Sequence, residues 1–430
     1  MFFADWGIIS KTNMVGVEPW QYPIKRFDPF RMRPIRIKEQ PIGKITGRFT
    51  YISAVRAQRP MTITPASIGE KSPTQFVYEK IVLGQDYCIP ILTVDGNQEL
   101  QIYNNLFSTT AHKYDFAEDS VISIINKFPA MVRYDESNSG IPNLARGLCL
   151  VAFPTKHYTR LLDMPNDAIS DLLLALQESQ RLIADTTTGK IVPLVPEGRY
   201  VETVTIEVFF NIGAAVGGSI DHIHGQLYAD LSDTGHSITT EWAILTAQDK
   251  ELGCISCRMI QGDIKELGGI PFPFDRLKIA ENAYGVLYAS FAPTANYQLK
   301  IIPRLHRRFF TDFTPEELDA LAELLRLAFF GLDYLEVPAD RNIRLTQLPH
   351  GYGAETDFHC RWSIDPFDTF GGFERRGDQK VAKVFPEHIA SMLRHLFLQR
   401  RIITPDLYHI NSAELNKHIR AKRLSQLLSD

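Results

Sequence analysis

The stretch 209–230, FFNIGAAVGGSIDHIHGQLYAD, decides the fold. A strand-like run at 202–210 enters a glycine-rich turn, 213–218 (GAAVGG), and a second run, 222–229 (HIHGQLYA), leaves it. If 222–226 is extended, side-chain alternation puts His222, His224 and Gln226 on one side. Gly213, Gly217 and Gly218 allow close backbone approach, Ser219 adds a hydroxyl, and successive amides of such a turn form an anion-binding nest. A neutral imidazole facing a phosphate nest, with an amide beside it, suits nucleophilic attack on phosphorus in two covalent steps. The same residues also fit a pair of surface or zinc-binding histidines on an ordinary strand, because H-x-H-x-Q strings arise by chance.

Upstream of this segment, 147–153 (GLCLVAF) is an apolar run of strand length. Residues 167–184 then carry Ile169, Leu172, Leu173, Leu176 and Leu182 at helical spacing, opened by Asn166 or Asp167. Downstream the order recurs. Strands are expected at 283–291 and 297–303, a helix at 315–334 opened by Thr314-Pro315, strands at 342–348 and 358–365, and a helix near 386–400. Strand, helix, then two strands therefore appears twice, around 145–230 and 283–366, which reads as two related α+β units. Short strands are also expected at 47–53 and 88–94. We divide the chain at 1–235, 236–400 and 401–430, the last reading as a tail or surface helix.

Composition sets the bounds. The 430 residues are 44% apolar and 22% charged, with 46 Lys plus Arg against 50 Asp plus Glu, a formal net charge of -4. So balanced a chain has no strong field for nucleic acid or an anionic membrane. No apolar run approaches the roughly 20 residues of a membrane span, and MFFADWGIISKTNMVG lacks a basic region followed by a long apolar core. Five cysteines are too few and odd for a disulfide framework. The expectation is a soluble, cytoplasmic protein. Cys254 and Cys257 form a C-x-x-C whose spacing fits two tetrahedral zinc ligands; a disulfide or redox pair is the rival.

The string N-x-G-A-A-x-G-x-S-x-x-H-x-H-G-Q at 211–226 resembles the active-site strand of the galactose-1-phosphate uridylyltransferases, within the histidine-triad superfamily. Five further segments resemble that family in the same order: TGRFTYISAVRAQRP (46–60), NKFPA (126–130), ARGLCLVAFPTKH (145–157), YQLKIIPRLH (297–306), and DFHCRWSIDP with GGFE (357–374). The implied fold is α+β, two tandem histidine-triad-like units with antiparallel sheets flanked by helices.

The resemblance implies His224 as the nucleophile, with Gln226 and Ser219 on the phosphoryl oxygens and Asn211, Gly217 and Gly218 beside the sugar-nucleotide phosphates. Asn126 and Phe128 match nucleoside-contacting positions. Arg56 and Arg59 match arginines that reach the neighbouring subunit's site, which implies a homodimer, and a guanidinium fork suits a phosphate. Phe373 and Glu374 keep their places in the hexose-binding loop. Relatives with this late C-x-x-C pair it with second-half histidines, here His306 and His359, which implies one structural Zn²⁺ on Cys254, Cys257, His306 and His359. The cysteine pair of a first-half zinc site is missing, so His222, beside His157, is expected to orient its strand through hydrogen bonds instead. Cys149 is expected to be a core thiol.

Departures from the pattern bear on the substrate. Ile223 replaces the usual proline, a change that diadenosine polyphosphate phosphorylases and other triad proteins tolerate. Where the family has H-W-H-I-E, residues 359–363 read His, Cys, Arg, Trp, Ser. By default the resemblance implies uridylyl transfer between UDP-glucose and a hexose 1-phosphate, as in galactose metabolism. The second expectation is a phosphorylase on the same scaffold, taking inorganic phosphate and an ADP- or GDP-sugar or a dinucleoside polyphosphate. A silent nucleotide-binding scaffold is the third. The expected partners are a nucleotide sugar with a sugar phosphate or phosphate.

Overall fold

A computed structural model describes residues 46–47, 90–95, 99–103, 119–126, 129–131, 145, 147–187, 203–231, 236–237, 243, 253–267, 270–351, 357–377 and 380–427. Arg56, Arg59 and Phe128, and all but the start of the strand expected at 47–53, lie outside them.

Eleven strands form one sheet: β1 (Pro90–Val94), β2 (Leu100–Ile102), β3 (Val121–Ile125), β4 (Gly147–Pro154), β5 (Thr205–Ile212), β6 (Gly225–Asp230), β7 (Lys278–Glu281), β8 (Gly285–Ala289), β9 (Leu299–Pro303), β10 (Arg341–Thr346) and β11 (Arg361–Pro366). They lie in the order β7-β8-β9-β11-β10-β5-β6-β4-β3-β1-β2, every neighbouring pair antiparallel. The two units meet at the β5–β10 pair, where Asn211 faces Asn342 and Phe209 faces Arg344. About this seam the order is mirrored: β6 and β4 beyond β5 correspond to β11 and β9 beyond β10.

Each unit lays one long helix on the same face of the sheet. These are α1 (Asn166–Thr187) and, after α2 (Ile255–Gln261) and α3 (Phe274–Leu277), α4 (Pro315–Tyr334). Their apolar stripes and those of the strands merge into one core cluster containing Leu172, Leu176, Leu227, Leu325 and Trp362. Thr314 opens α4 with a capping box: its hydroxyl accepts from Glu317 N–H (3.4 Å) and the Glu317 carboxylate accepts from Thr314 N–H (2.8 Å). Arg307 grips the same carboxylate with two nitrogens at 3.0 and 2.9 Å. On the opposite face, α2 and α3 close a smaller core of Met259, Phe274, Val286, Tyr288 and Ile302.

Three helices follow: α5 (Gly372–Gly377), α6 (Pro386–Gln399) and α7 (Ser412–Leu427). The final segment was expected as a tail or surface helix. It carries the helix α7, and Ile402, Ile403, Leu415 and Ile419 are buried in the main core, while Tyr408–Ile410 hydrogen-bonds to Glu281 on the edge strand β7. The apolar face of an otherwise polar helix draws it onto the body. Among the described residues, no helix is long and apolar enough to cross a membrane.

Candidate functional site

Regular pairing of β6 begins at Gly225, so His222–His224 form an extended approach to the strand. Alternation still governs them. A Cβ on Gly225 would sit 2.5 Å from Leu176 Cδ1 of α1, and Ile223 and Leu227 belong to the helix-side core. His222, His224, Gln226 and Tyr228 therefore face the other way.

The hydrogen bonds of His224 decide its chemistry. Its Nδ1 lies 2.7 Å from the His222 carbonyl oxygen. A carbonyl only accepts, so Nδ1 carries the proton and Nε2 is left with its lone pair. The Gln226 amide stands 3.4 Å from that Nε2, and its other end accepts from Tyr228 Oη–H at 3.3 Å. The result is a buried imidazole that, in its neutral form, has the proton on Nδ1 and the lone pair on Nε2.

His222 has a different task. Its Nδ1 accepts from Tyr158 N–H (3.2 Å) and its Nε2 donates to the Pro154 carbonyl (2.9 Å). Both nitrogens thus pin the His222–His224 segment to the end of β4. Burial drives its pKa down to about 3. His157 stacks on it with centroids 4.9 Å apart.

The glycine turn is folded into itself. Gly217 N–H donates to Ala214 O (3.1 Å), Gly218 N–H to Gly213 O (2.9 Å), and Ala215 N–H to Asp340 Oδ2 (2.7 Å). The expected open nest is corrected accordingly: these three amides are spent inside the protein, and the turn acts as a scaffold. Gly213 has φ of 100° and packs on the Asp340 carboxylate, while a Cβ on Gly218 would meet Asn211 O and Gly213 O at 2.7 Å. Asn211, Gly217, Gly218 and the buried Ser219 are thus brought together beside the nucleophile segment. Asn126 follows β3, its N–H on Cys149 O, and Cys149 is a buried core thiol as expected.

Phe373 and Glu374 stand apart. Their helix α5 follows β11, and their loop is tied through Asp368 to Asn296, between β8 and β9. β9 lies four strands from β6, roughly 19 Å at the usual sheet spacing. The Glu374 carboxylate is already engaged by Lys380 Nζ (3.0 Å), Val381 N–H (3.1 Å) and Gly371 N–H (2.6 Å). Those contacts, the Gly371 amide first, hold its pKa at about 2.

Cys254 and Cys257 form no disulfide. Cys254 caps the N-terminus of α2, its sulfur accepting from Cys257 N–H. With His306 and His359 they make a cluster whose ligand atoms all lie within 4.8 Å of one another. Cys257 Sγ is 3.3 Å from His306 Nδ1 and 3.5 Å from His359 Nδ1, and Cys254 Sγ is 3.6 Å from His359 Nδ1. A tetrahedral ion with bonds near 2.0–2.3 Å separates its ligands by roughly 3.5 Å, so this two-sulfur, two-nitrogen set fits one. Burial pushes the Cys254 thiol up to about 12.

Sequence reasoning missed a charged group on the helix side of the nucleophile segment. Arg341, 1% exposed, pairs with Asp333 at 2.7 Å, and Arg160 bonds the same carboxylate at 3.0 Å. No motif marks these residues; they meet only because the two units share a sheet.

No protein-family model matches the chain. Among curated proteins it is 23% identical over 376 residues to ADP-glucose phosphorylase of Arabidopsis thaliana, covering 82% of this chain and 92% of that one. It is 22% identical over 225 residues to galactose-1-phosphate uridylyltransferase of Thermotoga maritima, 51% of this chain and 63% of that one. The solved structure of the Arabidopsis thaliana phosphorylase with bound ADP-glucose superposes on 64% of this chain and 81% of its own, with TM-score 0.51 and 23% identity. A uridylyltransferase structure matches 72% of this chain and 98% of its own, with TM-score 0.53 and 19% identity. The chain is thus similar over most of its length to an ADP-glucose phosphorylase, over about half of it to a galactose-1-phosphate uridylyltransferase, and it shares the fold of the uridylyltransferase structures.

Proposed function

We propose that the chain transfers a nucleoside monophosphate through a nucleotidyl-His224 intermediate and hands it to inorganic phosphate, acting as a nucleoside-diphosphate-sugar phosphorylase. ADP-glucose is the first donor to test. The observation that carries the covalent step is the His224 tautomer, Nδ1–H on the His222 carbonyl and the Nε2 lone pair beside Gln226.

In the first step Nε2 attacks the α-phosphorus. The bond from that phosphorus to the bridging oxygen breaks, and sugar 1-phosphate leaves with that oxygen. In the second, a phosphate oxygen attacks the same phosphorus, the P–N bond breaks, and nucleoside diphosphate leaves while His224 returns to its neutral form. Gln226 and Ser219 donate to the oxygens on which charge develops.

Two features favour phosphate over a hexose 1-phosphate as acceptor. The phosphorylase relative matches over 376 residues, the uridylyltransferase over 225. Glu374 is spent on Lys380 and its own loop. The uridylyltransferase reading, first choice on motifs alone, keeps the support of the GGFE loop and becomes the second. The Cys254, Cys257, His306, His359 cluster would hold a structural Zn²⁺, which cross-links α2 to the strand ends of the second unit. Arg56 and Arg59 remain assigned to a partner's site in a homodimer.

The test is intact-protein mass spectrometry after incubation with ADP-glucose, UDP-glucose or a GDP-sugar, without acceptor. An AMP adduct discharged by phosphate supports the phosphorylase, and a UMP adduct discharged only by a hexose 1-phosphate supports the uridylyltransferase. His224→Asn is expected to form no adduct while keeping its fold. An adduct in that variant would end the mechanism.

A further inference from the structure

Beneath the nucleophile segment, on the helix side of the sheet, lies a cavity of about 510 Å³. That volume falls within the range of small-molecule sites. One wall is Asn211–Ala214 and Ile220–His224; the other is Phe329 and Asp333 of α4, Val337, Ala339–Arg341, and Lys422 of α7; Thr159–Leu162 close a third side. The imidazole of His224 faces away from α1, so the cavity meets the back of the segment that carries it.

The charges lining it are sorted. At the α4–α7 end three cations, Arg160, Arg341 and Lys422, surround one carboxylate, Asp333. Asp333 is shared between the two guanidiniums, so among the described lining residues cations outnumber carboxylates at this end. Burial pulls the Lys422 ammonium below its ordinary value; Asp333 opposes this, and Arg160 and Arg341 add to it. At the nucleophile end stand Asp221 and Asp340. The Asp221 side chain is 42% exposed; its Oδ1 accepts no hydrogen bond among the described residues, and His157 Nε2 lies 3.9 Å away. An exposed carboxylate that is free of protein donors can accept from the hydroxyls of a ligand.

We propose that this cavity is a second ligand site for a phosphorylated sugar or similar phosphorylated polyol, its phosphate against Arg160 and Lys422 and its hydroxyls against Asp221. An anion with a polyol body matches both ends at once. Inorganic phosphate satisfies only one end, and a neutral sugar only the other. Because Ile220–His224 form its wall, an occupant would brace the backbone that aims the imidazole.

The experiment is calorimetric titration of the full chain with glucose 1-phosphate, glucose 6-phosphate, inorganic phosphate and glucose. A hexose phosphate is expected to bind more tightly than phosphate or glucose. Lys422→Met should weaken that binding about tenfold or remove one site from the stoichiometry, the loss of one charge-assisted contact. Lys422→Arg should restore it, which separates charge from folding damage. Unchanged affinity and stoichiometry in Lys422→Met, or no preference for the phosphorylated sugar, would overturn the proposal. The His224 adduct is scored separately by mass, so failure of this site and failure of the covalent mechanism give different signals.

Discussion

Asp171 shows how much a single side chain can carry outside the reaction. It is 3% exposed inside α1, and one of its oxygens accepts no hydrogen bond among the described residues. Burial pushes its carboxyl up to about 7, with Asp167, Asp319 and Asp95 adding like-charge repulsion. A raised carboxyl contributes stability that is full below its ordinary value near 3.8 and is lost as pH rises through 7. Asp171→Asn keeps the shape and cannot ionise. Relative to wild type, this variant should gain a few degrees in melting temperature between pH 5 and pH 8; a gap that stays constant with pH would refute the assignment. His222 works in the opposite sense. Its depressed pKa gives stability that is full above about 6.5 and is lost as pH falls towards 3. The sequence reading placed the apolar stripe of this helix correctly. It could not foresee that Ser170, Asp171, Gln177, Ser179 and Gln180 are buried too, because their cover comes from distant segments: Gln177 donates to the Phe310 and Phe313 carbonyls, Ser179 meets Ser123 of β3 and Gln180 meets His350.

At the scale of elements, the two long helices and the strands that flank them were legible because their periods are unmixed. The helix expected at 315–334 is Pro315–Tyr334 with Thr314 as its cap, and 147–153 is β4 but for one residue. The metal cluster was half legible. The C-x-x-C marks two ligands by spacing, whereas His306 and His359 lie 49 and 102 residues from Cys257 and were carried by family resemblance alone. In space, α2 delivers both sulfurs to the loops after β9 and before β11. Purified protein should contain near-stoichiometric zinc, and Cys254→Ser should retain less than about a tenth of it and melt lower. Elemental analysis with thermal unfolding checks both, and a native protein without metal rejects the site.

For the whole molecule, the sheet that joins the two units and the return of the chain onto α4 are the decisive features. Arg326 Nη1 donates to Asn416 Oδ1 at 2.6 Å, and Leu415 and Ile419 complete the core above α4. Ending the chain at residue 400 would remove four buried apolar side chains, Ile402, Ile403, Leu415 and Ile419, and bare the core surface they cover. At roughly 1.5–3 kcal/mol each, their loss is comparable to the stability of a whole domain. Such a truncation should be insoluble or melt at least about 10 °C lower by differential scanning calorimetry. A truncated chain with native melting would show that the segment is an accessory arm.

The sequence by itself determined the α+β class, the internal repeat, the H-x-H-x-Q segment and the C-x-x-C, because each is written in local spacing or in a contiguous motif. Tertiary structure alone decided the rest. The tautomer of His224 depends on one carbonyl two residues away. The closing of the glycine turn depends on Asp340, 125 residues from Ala215. The sorted charges of the cavity depend on Arg160, Asp333, Arg341 and Lys422 converging from both units and the C-terminal helix. Those contacts form only when β5 and β10 pair across the seam, and no period or spacing along the chain records which strands will become neighbours.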